Sequence, residues 1–137
     1  MLLLKREDYN IILNHCIEGL PKEACGLIAG RKEGDIKRVE KVYLLTNLDN
    51  SKEHFSMDPK EQFEALKDAR ANGFELLGNF HSHPESPSRP SKEDIRLAYD
   101  STSEYLILSL MEILQPVFKA FHIDKEKKVT ENEIKII

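Results

Sequence analysis

One stretch of fourteen residues constrains this chain more than any other, and it reads HSHPESPSRPSKED from His81 to Asp94. An apolar run, Phe74–Phe80, leads into it, and a helix-like run, Asp94–Tyr99, follows it. Side chains alternate across a strand, so two histidines at spacing i, i+2 on a strand end point to the same side. The predicted order is therefore a strand that presents two imidazoles, a returning loop, and a helix start that presents an acid.

This arrangement predicts an open zinc site with one ion per chain. His81 and His83 supply the imidazoles, and Asp94 supplies a carboxylate from the first turn of the helix. Two histidines and one carboxylate leave the fourth tetrahedral position for water, which is typical of catalytic rather than structural zinc. Three prolines in the intervening loop fix φ and lower the ordering entropy that metal binding must overcome.

Each part of the stretch also has a simpler interpretation. A His-x-His pair by itself more often consists of solvated loop histidines. Ser91–Asp94 is an ordinary capping box, in which the serine side chain caps the helix and the acid at N3 accepts a hydrogen bond from the serine amide. The two interpretations are compatible, because Ser91 can cap the helix while its hydroxyl faces the metal cavity. The conjunction of strand, stiff loop and helix start favours the metal site.

Composition limits the class of protein. The 137 residues, 40% hydrophobic and 32% charged, predict one soluble globular domain over residues 1–137. A net charge of -4 with interspersed signs argues against nucleic-acid binding. Met1–Leu4 is too short for a signal or a membrane span, so we expect a cytoplasmic protein without a membrane partner. Cys16 and Cys25 are then expected to be reduced thiols.

The hydrophobic pattern predicts an α/β fold with a mixed or largely antiparallel sheet. Helices are expected over Tyr9–Gly19 (capped by Asp8), Lys60–Ala71 (capped by Asp58) and Lys92–Asp100. Strands are expected over the following segments: Met1–Lys5, Ala24–Gly30, Ile36–Thr46, Phe55–Met57, Phe74–Phe80, Tyr105–Leu110, Val117–Ile123 and Lys128–Ile136. The second and third of these strands form a hairpin, and Asn47–Glu53 and His81–Pro90 are loops.

Hydrolysis at such a site also needs a group that takes a proton from water and returns it to the leaving amine. Glu23 is the best-placed candidate, because it directly precedes the apolar strand Ala24–Gly30. Local sequence alone leaves the alternative of an exposed loop acid. Ser82 is expected to face away from the two histidines and to have a structural role, and Cys25 is expected to be a buried, inert thiol.

The spacing of these residues resembles the JAMM (MPN-type) metalloprotease signature, Glu…His-(Ser/Thr)-His-x7-Ser-x2-Asp. Every position of that pattern is present, from Glu23 through His81-Ser82-His83 to Ser91 and Asp94. The segments 21–27 and 55–59 further resemble the small prokaryotic branch of the family.

The resemblance implies a deaminase-like mixed β-sheet flanked by helices. It also implies His81, His83 and Asp94 as zinc ligands, with Glu23 as the base and Ser91 as donor to the oxyanion. The implied reaction is hydrolysis of the bond after the C-terminal Gly-Gly tail of a ubiquitin-like (β-grasp) sulfur-carrier or modifier protein. Of these two substrate classes, the absence of long insertions favours sulfur carriers. The oligomeric state stays open.

The sequence disfavours two other classes of function. A non-catalytic interaction scaffold of the same fold is disfavoured by the intact set of motif residues. Barrel amidohydrolases need about 250 residues, and nucleobase deaminases need a Pro-Cys-x-x-Cys element that is missing here.

Overall fold

The computed structural model describes residues 1–137, which form eight strands and three helices. The helices are α1 (Arg6–Gly19), α2 (Pro59–Ala71) and α3 (Lys92–Arg96). The strands are β1 (Leu2–Leu4), β2 (Cys25–Glu33), β3 (Ile36–Leu45), β4 (Glu75–His83), β5 (Glu104–Ser109), β6 (Val117–Ile123), β7 (Val129–Asn132) and β8 (Ile134–Ile136). No helix is both long enough and apolar enough to cross a membrane.

All eight strands belong to one mixed sheet, in the order β7-β6-β5-β4-β2-β3-β1-β8. The pairs β4–β5, β1–β3 and β1–β8 are parallel, and the others are antiparallel. Although β7 and β8 lie at opposite edges of the sheet, only Glu133 separates them in sequence. Asn132 and Ile134 are therefore no more than about 7 Å apart. The sheet must curl until its two edges approach each other.

Two apolar clusters hold the helices against this sheet. The larger one joins α1, through Ile12 and Cys16, to buried residues of six strands, including Phe80 of β4. The smaller one joins α2, through Ala65, to β2 and β3. Burial of one large aliphatic or aromatic side chain contributes about 1.5–3 kcal/mol. The predicted mixed sheet flanked by helices is confirmed.

The predicted hairpin is also confirmed, with a longer first strand. β2 continues to Glu33, which pairs with Ile36, so only Gly34 and Asp35 remain as the turn. Gly34 has φ +64°, a conformation that costs glycine little and most other residues much more.

The predicted cap of the first helix is wrong. The helix begins at Arg6, two residues before Asp8, and its N-cap residue Lys5 makes no side-chain capping bond. The amide of Arg6 instead donates to the carbonyl of Ile137, 2.8 Å away. A neighbouring strand end thus supplies the acceptor that a capping side chain would have provided.

Three further boundaries differ from the prediction. The single strand predicted over Lys128–Ile136 is two strands on opposite edges of the sheet. The helix predicted to reach Asp100 ends at Arg96. Just beyond this end, Lys127 donates to the carbonyl of Ala98. The brief strand Phe55–Met57 is reduced to one bridge between Met57 and Asn47.

Candidate metal centre

The two histidines lie on the last three residues of β4. The predicted loop start at His81 is wrong, because parallel pairing with β5 carries the strand on to His83. The side chains of His81 and His83 point to the same side of the strand, and both are buried. Ser82, between them, is fully buried, and its hydroxyl accepts a hydrogen bond from the amide of Ala24 at 2.9 Å. The expected structural role of Ser82 is confirmed.

Asp94 reaches this pair from the first turn of α3. The amide of Asp94 donates to Ser91 Oγ (3.0 Å), and the amide of Ser91 donates to Asp94 Oδ2 (2.9 Å), which completes a capping box. The same Oδ2 lies 3.2 Å from His81 Nε2 and 3.1 Å from His83 Nε2. The capping box and the approach of Asp94 to both histidines therefore occur together in this segment.

The three side chains fit a metal ion by geometry and by donor type. The two Nε2 atoms are 3.1 Å apart, and all three potential ligand atoms lie within 4.8 Å of one another. Tetrahedral zinc with bonds of 2.0–2.1 Å separates its ligand atoms by about 3.3 Å. His83 Nδ1 lies 2.9 Å from the carbonyl of Pro87, to which it can only donate. Its Nε2 is thus left with a lone pair that faces the cluster.

The cluster perturbs its own ionisation. Burial lowers the pKa of His81. Burial also acts to lower the pKa of His83, but its bonds to Asp94 and to the Pro87 carbonyl outweigh burial and raise that pKa. For Asp94 the opposition is reversed: burial raises the pKa, but the hydrogen bonds from both histidines and from the Ser91 amide hold it well below its usual range.

Glu23 is buried beside the cluster rather than exposed in a loop. It is 4% exposed, and its Oε1 is buried without a hydrogen-bond partner. Burial raises its pKa to about 8, while nearby His83 acts to lower it and Asp94 to raise it further. A cation held by the cluster would lower this pKa, because it would stabilise the carboxylate. Glu23 can therefore carry or release a proton near neutral pH.

An open groove of about 470 Å³ gives access to these groups. No hydrophobic side chain lines it. Its lining residues are Glu23, Lys52, Glu53, His54, His83, Glu85, Ser86, Ser91, Lys92 and Glu93. A smaller, partly apolar pocket of about 200 Å³ adjoins Asp94 and is lined by Phe55, Met57 and Leu97, among others. The structure brings all five residues of the predicted site to one region.

Other reactive residues do not belong to the group of three potential metal ligands. Cys16 and Cys25 are free and buried, and burial raises the pKa of each thiol to about 12, which makes both inert as expected for Cys25. His15 contacts the carbonyl of Cys25, and His54 pairs with Asp49.

Sequence reasoning missed two residues that contact the site. Asn47 bonds the carbonyl of Glu23, and the ring of Phe55 stacks on His81. Both fall in segments whose pattern is not periodic, and the resemblance of segment 55–59 to the prokaryotic branch was the one available signal.

Comparison with known proteins gives the family. Residues 5–124 match the family described as prokaryotic homologs of the JAB domain. The chain belongs to this family. It is similar to a desampylase of Pyrococcus furiosus, at 31% identity over 82% of this chain and 74% of the relative. It is also similar to a CysO-cysteine peptidase of Mycobacterium tuberculosis, at 26% identity over 100% of this chain and 92% of the relative.

A solved structure has the same fold. A protein of Desulfitobacterium hafniense superimposes with a TM-score of 0.92 and 53% identity, over 100% of this chain and 93% of that one. The predicted JAMM/MPN fold and enzyme class are confirmed, and the JAB-domain protein is a hydrolase of the JAMM peptidase type.

Proposed function

We propose that this JAB-domain protein is a zinc-dependent peptidase or isopeptidase that hydrolyses the bond after the C-terminal Gly-Gly tail of a ubiquitin-like protein. The observation that carries the proposal is the convergence of His81, His83 and Asp94 beside the buried carboxyl of Glu23. The names of the two relatives, desampylase and CysO-cysteine peptidase, support a substrate that is a modifier or sulfur-carrier protein.

His81 and His83 would hold zinc through their Nε2 atoms, and Asp94 through Oδ2. When bound, zinc supplies a Lewis acid that polarises a carbonyl and lowers the pKa of water to about 7. The capping box keeps Asp94 in place for this role, because the Ser91 amide fixes the same oxygen that faces the histidines. The bond from His83 to the Pro87 carbonyl fixes that ring in the same way.

Glu23 would act as the general base and then as the general acid. Its carboxyl lines the groove together with His83, and its unpartnered Oε1 has free capacity to accept a proton. After accepting the proton from water, the carboxyl would deliver it to the leaving amine.

Ser91 would stabilise the oxyanion. Its Oγ already accepts the amide hydrogen of Asp94, so the hydroxyl hydrogen is available for donation. Ser91 also lines the groove, where a developing negative charge would lie. A preorganised donor of this kind is worth roughly 2.7–4 kcal/mol in the transition state.

The polar groove suits the main chain of an extended tail with small residues. Its lining is rich in side chains that can bond backbone groups, and a Gly-Gly segment has no side chains that would need an apolar pocket. Of the two substrate classes, we favour a sulfur carrier extended by one residue, with an isopeptide-linked modifier as the second class.

The test pairs metal content with cleavage. Wild type and Glu23→Gln are purified, zinc is counted per chain, and both are given β-grasp carriers extended beyond Gly-Gly by cysteine or by an isopeptide-linked lysine. We expect one zinc in each protein and cleavage by wild type alone. Absence of zinc, even after metal is added back, would contradict the proposal and favour the non-catalytic scaffold.

A further inference from the structure

The side-chain amide of Asn47 uses all four of its hydrogen-bonding positions. Its Nδ2 donates to the carbonyls of Glu23 (2.9 Å) and His54 (3.2 Å). Its Oδ1 accepts from the amides of Asp49 (2.9 Å) and Ser56 (3.1 Å). An amide has two donors and two acceptor positions, so this one is fully satisfied. Asn47 therefore closes segment 47–57 on itself and joins it to Glu23.

The same segment holds the backbone of Glu23 from both sides. The amide of Glu23 donates to the carbonyl of Ser51 at 2.7 Å, and its carbonyl accepts from Asn47. The carboxyl of Glu23 has an unpartnered buried oxygen, so side-chain bonds do not account for its placement. The main-chain bonds to Ser51 and Asn47 therefore anchor the residue from which the carboxyl extends.

Phe55, in the same segment, holds the ring of His81. The two rings are stacked, with centroids 4.6 Å apart and an interplanar angle of 28°. His81 Nδ1 is buried and has no hydrogen-bond partner, whereas His83 Nδ1 bonds the Pro87 carbonyl. His81 thus has a polar contact at Nε2 alone, with Asp94 and His83, and the stacked ring of Phe55 supports its face, whereas both nitrogens of His83 have polar contacts. Phe55 itself packs against the apolar cluster between α2 and the sheet.

We propose that segment 47–57 is a positioning element that sets Glu23 and His81 relative to each other. Asn47 positions the base through its main chain, and Phe55 positions the metal ligand through its ring. The inference rests on the proposed function, because it assigns these two residues a purpose within that site. Each of the two acts through another residue, Asn47 through Glu23 and Phe55 through His81, so both are positioning residues.

The first experiment changes Phe55 and measures metal affinity. Phe55→Leu keeps most of the apolar volume but removes the ring, Phe55→Tyr keeps the ring, and Phe63→Ala is a control at an exposed phenylalanine of α2. Zn²⁺ and Co²⁺ affinities are measured by chelator competition. We expect Phe55→Leu to weaken binding by about 10- to 100-fold, and Phe55→Tyr and Phe63→Ala to bind as wild type does.

The second experiment changes Asn47 and measures turnover. Asn47→Asp keeps the shape but loses both donated bonds and sets a carboxylate against two carbonyls. Asn72→Asp makes the same change at the end of α2, where the amide bonds only the carbonyl of Asp68. We expect Asn47→Asp to lower kcat at least about 10-fold, with KM nearly unchanged, and Asn72→Asp to have no effect.

A third measurement does not depend on metal. Stacking on Phe55 shifts the ring protons of His81 upfield in the NMR spectrum, and Phe55→Leu and Asn47→Asp should remove or reduce that shift in the metal-free protein. Unchanged His81 signals, or metal affinity and kcat that match wild type in both variants, would overturn the inference. If wild type binds no metal, and both variants nevertheless lose the ring shift, the proposed function is contradicted and this inference stands.

Discussion

Two buried polar clusters lie at opposite ends of the β4–β5 pair, and they differ in what they lack. At the far end from the histidines, Glu104 is fully buried and pairs with Gly78 of β4. Its carboxylate accepts from Lys37 (2.8 Å), Asn132 (2.8 Å) and His122. At the near end, two imidazole nitrogens and a carboxylate oxygen converge on one another. The first cluster is complete without a ligand, whereas the second contains acceptors for which the protein supplies too few donors.

The pKa values of the Glu104 and Glu23 carboxyls reflect this difference in hydrogen-bond donors. Burial acts to raise both pKa values. The donors around Glu104 outweigh burial and lower its pKa, whereas the pKa of Glu23 stays raised to about 8. A buried acid with matched donors contributes to the fold, and one without them is available for proton transfer.

Removal of one acceptor from the metal cluster should have the largest effect on turnover. His83→Ala or Asp94→Ala leaves two ligands, so zinc content and cleavage should both fall to background. Zinc per chain and cleavage rate check this result, and a variant that kept full activity would contradict the ligand assignment.

Glu23→Gln should separate the proton carrier from the ligands. We expect turnover to fall by about 10²–10⁴, while one zinc per chain remains. Loss of zinc in this variant would instead place Glu23 among the ligands.

The same variant makes a prediction about pH in the metal-free protein. The folded pKa of Glu23, about 8, lies above its unfolded value near 4.3. The stability that the protonated carboxyl contributes is therefore fully present below the unfolded pKa. It is lost as pH rises through about 8. Glu23→Gln removes that loss. The increase in Tm of this variant over wild type should therefore be larger at pH 9 than at pH 5. Equal differences at the two pH values would argue against the raised pKa.

Ser91→Ala should have a smaller effect on turnover and a measurable effect on stability. Loss of the oxyanion donor should lower kcat by about 10²–10³. Loss of the cap should reduce the free energy of unfolding by about 1 kcal/mol. A stability loss without an effect on kcat would show that Ser91 acts only as a helix cap.

Glu104→Gln should leave turnover and zinc content unchanged and act on stability alone. It removes the buried anion that accepts from Lys37 and His122, and because both partners are partly exposed the free energy of unfolding should fall by about 1–3 kcal/mol. The folded pKa of Glu104 is depressed, so its contribution is present above the unfolded value and is lost as pH falls. The stability difference from wild type, measured by urea unfolding, should therefore shrink below about pH 4. Any loss of zinc would show that the two clusters are coupled.

The metal cluster was predictable because its residues fall within fourteen positions of one another, at a strand end and a helix start. Strand alternation and helix capping are local rules, and they fix where His81, His83 and Asp94 point. Glu23 was a candidate from its place before the strand Ala24–Gly30, but only the family resemblance favoured it over an exposed loop acid.

The Glu104 cluster and the role of Asn47 could not be predicted in this way. Lys37, Glu104, His122 and Asn132 come from four different strands, and only the curl of the sheet brings them together. The same long-range geometry explains the wrong cap at Asp8, where the end of β8 supplies the acceptor. Local patterns give no information about such partners.

The position of β1 has a consequence for how the protein is made. Strand β1 lies between β3 and β8, and β8 follows all the other described strands in sequence. On the ribosome, β1 can pair with β3 early, but its other side must wait until residues 134–136 have emerged. The partner is about 130 residues away in sequence, so closing this loop is slow compared with forming the hairpin β2–β3. Pairing of β1 with β8 is therefore expected to be a late step in folding, after the hairpin has formed.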